Sequence, residues 1–172
     1  FVEELGLEPS AAETLVANKA KAEWFESAVD GITDQAVIAE IAKWFIGDVF
    51  SLLKSDKEKL TSLKFSPTQL RELVVLLKEG KLSGTLTKQV LKEMYQTGND
   101  AQQIIDEKGL AIVSDDSQLE EIAKKVIAAN PKVVDNYAKN PNIVKFLVGQ
   151  MMRETKGKAD PNKSEEILKG LL

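Results

Sequence analysis

An all-α fold is what this sequence predicts, on three observations. Apolar residues recur at three- and four-residue spacing, Ser, Asn or Asp precedes many of these runs, and glycine follows several of them. No segment sustains the two-residue alternation of a half-buried strand. Hydrophobic residues make up 43% of the 172, which supplies a core for one medium domain or two small ones. No apolar stretch reaches the length of a membrane span, and the start does not resemble a signal peptide. A first residue of Phe rather than Met reads as the mark of a fragment of something longer.

Taken in order, the helix starts fall at recognisable caps. Ser10-Ala-Ala-Glu13, Ser66-Pro-Thr-Gln69 and Ser117-Gln-Leu-Glu120 each fit a capping box, in which Ser accepts from first-turn amides and Glu or Gln reaches back. Asn130-Pro131, Asn140-Pro141 and Asp160-Pro161 place an N-cap residue before a proline, whose missing N–H is no loss at the first helical position. Between these marks Val37, Ile41, Phe45 and Val49 form the stripe of the longest early helix, and Leu70, Leu73, Val74 and Leu77 that of the next. Val90, Leu91 and Met94 continue the pattern, followed by Leu119, Ile122, Ala123, Val126 and Ile127. Gly31, Gly80, Gly98, Gly109 and Gly157 stand where left-handed C-terminal caps are expected. Trp24, Phe25, Trp44 and Phe45 sit at helical spacing and are assigned to the core rather than to base stacking. Leu110 to Val113 is a short apolar run, read as a buried connector.

A boundary is expected between Gly98 and Ser114, where a short helix (Ala101 to Glu107) gives way to Gly109 and the cluster Ser114-Asp115-Asp116-Ser117. This makes residues 1–105 a multi-helix domain and 106–172 a small tail of three to four helices.

Composition narrows the chemistry. Cys and His are both absent. That removes the commonest zinc ligands, thiol and imidazole nucleophile systems, and the side chain best suited to proton transfer at neutral pH. Neither GxxxxGK[ST] nor GxGxxG occurs, so no nucleotide cradle is expected. The formal net charge is −4, but it is unevenly spread. From Ile143 to Lys163 there are five basic residues (Lys145, Arg153, Lys156, Lys158, Lys163) against two acids (Glu154, Asp160). A local basic patch on an acidic protein still neutralises phosphates.

The helix carrying that patch is expected from Pro141 to Lys156. At 100° per residue Val144, Leu147, Val148 and Met151 cluster on one side, flanked by Ile143 and Met152. Asn142, Lys145, Gly149, Arg153 and Lys156 share the other side, and Gly157 with Lys158 extends the basic surface past the helix end. Glycine inside a helix costs about 1 kcal/mol relative to Ala, so Gly149 calls for a reason: the close approach of a phosphate backbone or of another helix. The same pattern also describes an ordinary solvated face, and pattern alone does not choose.

Longer wording does choose. Phe146-Leu-Val-Gly-Gln-Met-Met-Arg-Glu-Thr-Lys-Gly-Lys-Ala-Asp-Pro161 resembles the FLVGQ-M-K-x-T-x-GKA-[ND]-P stretch that ends the B subunit of the tRNA-dependent amidotransferases. Glu4-Leu-Gly-Leu7 with Ala12 and Leu15, Trp24-Phe25-Glu26, and Lys43-Trp44-Phe45-Ile46-Gly47-Asp48 are similar to earlier segments of that family. So are Gly80-Lys-Leu-Ser83 and Gly109-Leu110 with Ile112 and Ser114-Asp115, and nearly the whole chain is covered in the family's order. The departures are Thr87-Lys88 for Ala-Lys, Asn140-Pro-Asn142 for a Gly-Lys turn, and Lys145 where a small residue is common.

The resemblance implies the C-terminal helical and YqeY-like tail region of a B subunit, bacterial-type and cytoplasmic or organellar. It implies that tRNA(Gln), tRNA(Asn) or both are bound here, while ATP-dependent transamidation of mischarged tRNA, with glutamine as amide donor, proceeds elsewhere. Subunits A and C are the implied protein partners, and ATP and Mg the implied cofactors of the longer protein, with none expected in this chain. The implied tRNA contacts are Lys145, Arg153, Lys156 and Lys158 to phosphates, Gly149 and Gly157 for close approach, and Asn142 and Gln150 to sugar or base edges. The alternatives are a free-standing YqeY-like protein, or a protein-interaction module without tRNA affinity of its own.

Overall fold

The computed structural model describes residues 1–113, 115–137 and 140–172. Ser114, part of the expected boundary cluster, lies outside the described residues. Among the described residues the chain is all-α, and extended backbone pairs at one isolated parallel bridge, Val113 to Ala159. It divides into two compact units, Phe1–Glu79 with Thr87–Gly109, and Gly80–Leu86 with Leu110–Leu172.

The first unit is built from α1 (Pro9–Val16), α2 (Lys19–Val29), α3 (Gln35–Trp44), a π-helical turn at Phe45–Val49, α4 (Phe50–Asp56), α5 (Pro67–Lys78), most of α6 (Gly84–Thr97) and α7 (Ala101–Lys108). Helices α2 and α3 pack on α5, α1 on α2, and α7 on α5. The stripes seen in the sequence are the core: Ile41, Phe45, Val49, Leu70, Leu73, Val74, Val90, Leu91 and Met94 are buried. Each such side chain contributes on the order of 2 kcal/mol of transfer free energy. Phe25, Trp44 and Phe45 are buried as expected, whereas Trp24 is half-buried, its ring stacked on Phe45 at 4.3 Å between centroids with Phe65 meeting it edge-on at 6.3 Å. Beside them Glu40 accepts hydrogen bonds from Trp44 Nε1 and Lys43 Nζ, both at 2.9 Å. Burial pushes the Glu40 carboxyl up, but these two hydrogen bonds together with the charges of Lys43 and Lys78 outweigh it and hold the group below its ordinary value.

The second unit contains α8 (Asp116–Ala129), the single turn α9 (Pro131–Val134), α10 (Ile143–Glu154) and α11 (Pro161–Leu171). Helices α8, α10 and α11 pack pairwise around Leu119, Ala123, Val126, Val144, Leu147, Met151, Ala159 and Leu168. The run Leu110 to Val113 is half-buried or exposed rather than buried. Val113 supplies its bridge, donating its N–H to Lys158 O at 2.6 Å and accepting from Asp160 N at 3.2 Å.

The local punctuation is mostly where the sequence places it. Ser66 and Gln69 form the reciprocal capping box of α5, and Asp160 accepts from the amides of Asn162 and Lys163 to start α11. The five expected cap glycines all have φ between 58° and 86°. Two capping boxes are corrected. Pro9, with its φ preset, opens α1 one residue before Ser10, so Ser10 lies inside the helix. Asp115 caps α8 by accepting from Gln118 N, which places Ser117 in the first turn. Asn130 is the N-cap residue of α9, ahead of Pro131 as expected, but its side chain makes no capping bond and its amide donates back to Val126 O of α8 at 2.8 Å. The basic helix is shorter than expected at both ends, because Asn140 Oδ1 takes the amide of Asn142 in a turn and Lys156 leaves helical φ at 53°.

Candidate nucleic-acid interface

The basic helix owes its orientation to its apolar side. Val144, Leu147 and Met151 are buried, and Ile143, Val148 and Met152 are half-buried against the same cluster. With that side sealed, the opposite one must face outward. Asn142, Lys145, Gly149, Arg153 and Lys156 are all exposed, and Gln150 and Lys158 are half-buried.

The cations on this face, Lys145, Arg153, Lys156 and Lys158, make no ion pair among the described residues, while Lys124, Lys163 and Lys169 of the same unit pair with Glu120, Asp116 and Glu165. Lys163 is therefore set apart from the other basic residues of the stretch, its ammonium held at 3.0 Å by Asp116 and its pKa raised by that hydrogen bond. Lys145 lies close enough to α11 to help Lys169 hold the Glu165 carboxyl below its ordinary value, Lys169 being the larger influence.

The turn after α10 is fixed by its own hydrogen bonds. Thr155 Oγ1 donates to Met151 O at 2.9 Å and accepts from Ala159 N at 3.0 Å, and Gly157 N donates to Met152 O at 2.7 Å. Gly157 itself is buried, with φ 86°, and a Cβ there would come 3.1 Å from Thr85. The close approach this glycine permits is made inside the unit. Ser83 Oγ donates to Gly157 O at 2.6 Å and accepts from Leu86 N at 3.3 Å, so one hydroxyl caps α6 and clamps the turn. Two motifs far apart in sequence, Gly80-Lys-Leu-Ser83 and Gly157-Lys-Ala159, thus meet at one hydrogen bond. Both are visible in the sequence but not their connection, since nothing local encodes a contact across 74 residues.

Gly149 is the opposite case. It is exposed, helical, and a Cβ added to it would meet nothing within 4 Å. No packing among the described residues explains a glycine there. The residue that sequence reading overlooked lies one turn earlier. Phe146 is 46% exposed, and at 100° per residue it falls between Asn142 and Gln150 on the outward side. The same wheel that found the basic stripe contained this signal.

Other titratable groups point to structure. Among the described residues the shifted ones besides Lys163 and Glu165 are Glu40, Lys169, held up by Glu165, and Tyr95, raised by burial and by Asp56. No three metal-ligating side chains converge among the described residues. No described helix is long and apolar enough to cross a membrane.

The fold and this face together define an all-α module whose last unit turns an unpaired basic helix outward. The chain belongs to the GatB family: the GatB domain model, of the GatB_Yqey family, matches residues 23–172. It is 41% identical over its full length to the B subunit of the aspartyl/glutamyl-tRNA(Asn/Gln) amidotransferase of Dehalococcoides mccartyi strain CBDB1, covering 37% of that protein. The B subunit of the same name from Carboxydothermus hydrogenoformans is 36% identical, again over the whole chain and 35% of the relative. The glutamyl-tRNA(Gln) amidotransferase B subunit of the Paulinella chromatophora chromatophore is 36% identical over the whole chain and 34% of the relative. The chain thus spans little more than a third of the length of these relatives.

Proposed function

We propose that this chain is the tRNA-holding C-terminal region of an amidotransferase B subunit. It binds the body of tRNA(Gln), tRNA(Asn) or both, and keeps the mischarged molecule in place while ATP- and Mg-dependent transamidation proceeds in another part of the complex. Subunits A and C are the protein partners, and the setting is the bacterial cytoplasm or an organelle. One observation carries the reading: four cations on one short stretch, Lys145, Arg153, Lys156 and Lys158, have no ion pair among the described residues of a chain of net charge −4. An acidic protein that leaves its cations unpaired on one face offers that face to a polyanion.

The division of labour follows from exposure. Lys145, Arg153 and Lys156 meet phosphates, with Lys158 at the edge, and Asn142 and Gln150 meet sugar or base edges. Gly149 lets the backbone of the ligand come close, and Gly157 acts indirectly by shaping the turn that carries Lys156 and Lys158. Recognition on such a face reads shape and phosphate spacing more than sequence.

The test is a gel shift of the full-length subunit with tRNA(Gln), tRNA(Asn) and a noncognate tRNA, comparing wild type with the double charge reversal Arg153→Glu, Lys156→Glu. The variant is expected to bind each tRNA at least about tenfold more weakly, because two charge-assisted attractions to phosphate become repulsions. Unchanged affinity would remove the assignment of this face.

A further inference from the structure

Phe146 stands exposed on the outward side of α10, outside the hydrophobic cluster of its unit. Large apolar side chains left exposed among the described residues are few, Val2, Val16, Phe146 and Leu171, and Phe146 is the aromatic one. A single exposed apolar residue is ordinary. This one stands in the middle of the outward face of α10, flanked by Lys145 and by Arg153 two turns on, neither of which is ion-paired among the described residues. Its neighbour one turn along is Gly149, where a Cβ would meet nothing within 4 Å.

Helical side chains lean toward the N-terminus, so a side chain at position 149 would cover the surface over the preceding turn, where Phe146 sits. The glycine places no side chain over that turn. A helix interior that gives up a good helix former, and gains no packing by it, has kept a ring accessible from one side. The environment selects the occupant. A purely apolar partner would have to desolvate the adjacent cations, whereas a nucleotide offers a flat π-face to the ring and a phosphate to the cations at once.

We propose that Phe146 is a stacking platform for one unpaired base of the bound tRNA, with Lys145 and Arg153 holding the phosphates on either side of it. This rests on the reading of the basic face as the tRNA site and adds to it a single-stranded element. The bound region must contain a base free to leave its helix, because duplex bases present no face to a side chain.

The test measures binding by the full-length subunit of a tRNA transcript and of a blunt RNA duplex with a similar number of phosphates, over a range of salt. Phe146→Ala and Phe146→Leu are expected to weaken tRNA binding about tenfold, within the range that alanine substitution of stacking residues produces, with the salt slope unchanged. Phe146→Tyr keeps affinity within about twofold, and duplex binding is indifferent to all three. The double charge reversal Lys145→Glu, Arg153→Glu should weaken both ligands and flatten the salt slope. Full affinity in Phe146→Leu would make the contact merely apolar and overturn the proposal. So would equal losses for tRNA and duplex, or a loss of association between subunits with tRNA affinity intact. If Phe146→Ala is silent while the charge reversal weakens binding, the stacking proposal fails and the basic-face reading stands. If both are silent, the reading beneath it fails as well.

Discussion

Lys57 closes α4 in the left-handed region at φ 57°, a conformation that is strained for a side-chain-bearing residue. It is exposed, so Lys57→Gly should stabilise the protein by about 1 kcal/mol, read as a higher thermal midpoint. Two buried serines make a sharper contrast. Ser83 has its hydroxyl engaged at both ends, by Gly157 O and Leu86 N, and Ser83→Ala is predicted to cost about 2 kcal/mol in denaturant unfolding. Ser164 is as buried, yet its Oγ has no hydrogen-bond partner among the described residues. Ser164→Ala should therefore be neutral or stabilising by up to about 1 kcal/mol, since it removes an unsatisfied buried group. From sequence the two serines look alike. What separates them is which carbonyl the fold brings within reach.

At the scale of elements, α10 and the turn that follows it carry two glycines with opposite duties. Gly149→Ala is expected to stabilise the protein by about 1 kcal/mol while weakening tRNA binding, a pairing that a purely structural glycine would not show. Gly157→Ala, forced to φ 86° and against Thr85, should instead destabilise by about 2 kcal/mol. Thermal unfolding and tRNA titration of both variants decide the matter. Helix α3 offers a pH handle. Glu40 has a folded pKa below its unfolded value, so its contribution is full above the unfolded value of about 4.3 and fades as pH falls through the folded one. The difference in thermal midpoint between wild type and Glu40→Gln should be largest near neutral pH and shrink as pH falls through the folded value. A gap that stayed constant over that range would mean that the carboxylate charge contributes nothing.

For the whole molecule, net charge and local charge make opposite predictions. A formal charge of −4 predicts repulsion from RNA, whereas the face bearing Lys145, Arg153, Lys156 and Lys158 predicts attraction. Attraction should win at short range because screening removes the distant acids first. The measurable consequence is a logarithmic salt dependence of tRNA affinity with a slope of about −3 from this face, if each cation displaces somewhat less than one counterion. Removing any one of these cations should lower the slope by slightly less than one and weaken cognate and noncognate tRNA alike.

The sequence by itself determined the all-α class, the stripes that became the two cores, the left-handed cap glycines and the sidedness of α10. All of these are short-range: they depend on residues within a turn or two of each other, where helical periodicity and capping chemistry act. Helix ends near Ser10, Ser117 and Pro141 were less well encoded because neighbouring Pro9, Asp115 and Asn140 are equally good local signals. Only the tertiary structure decided that Gly80–Leu86 packs with the second unit and that Ser83 clamps the Gly157 turn. It also showed which cations remain unpaired among the described residues and that Phe146 stays exposed beside a bare glycine. Those facts depend on which residues meet after the chain has folded back on itself, and a one-dimensional pattern records spacing but not partners.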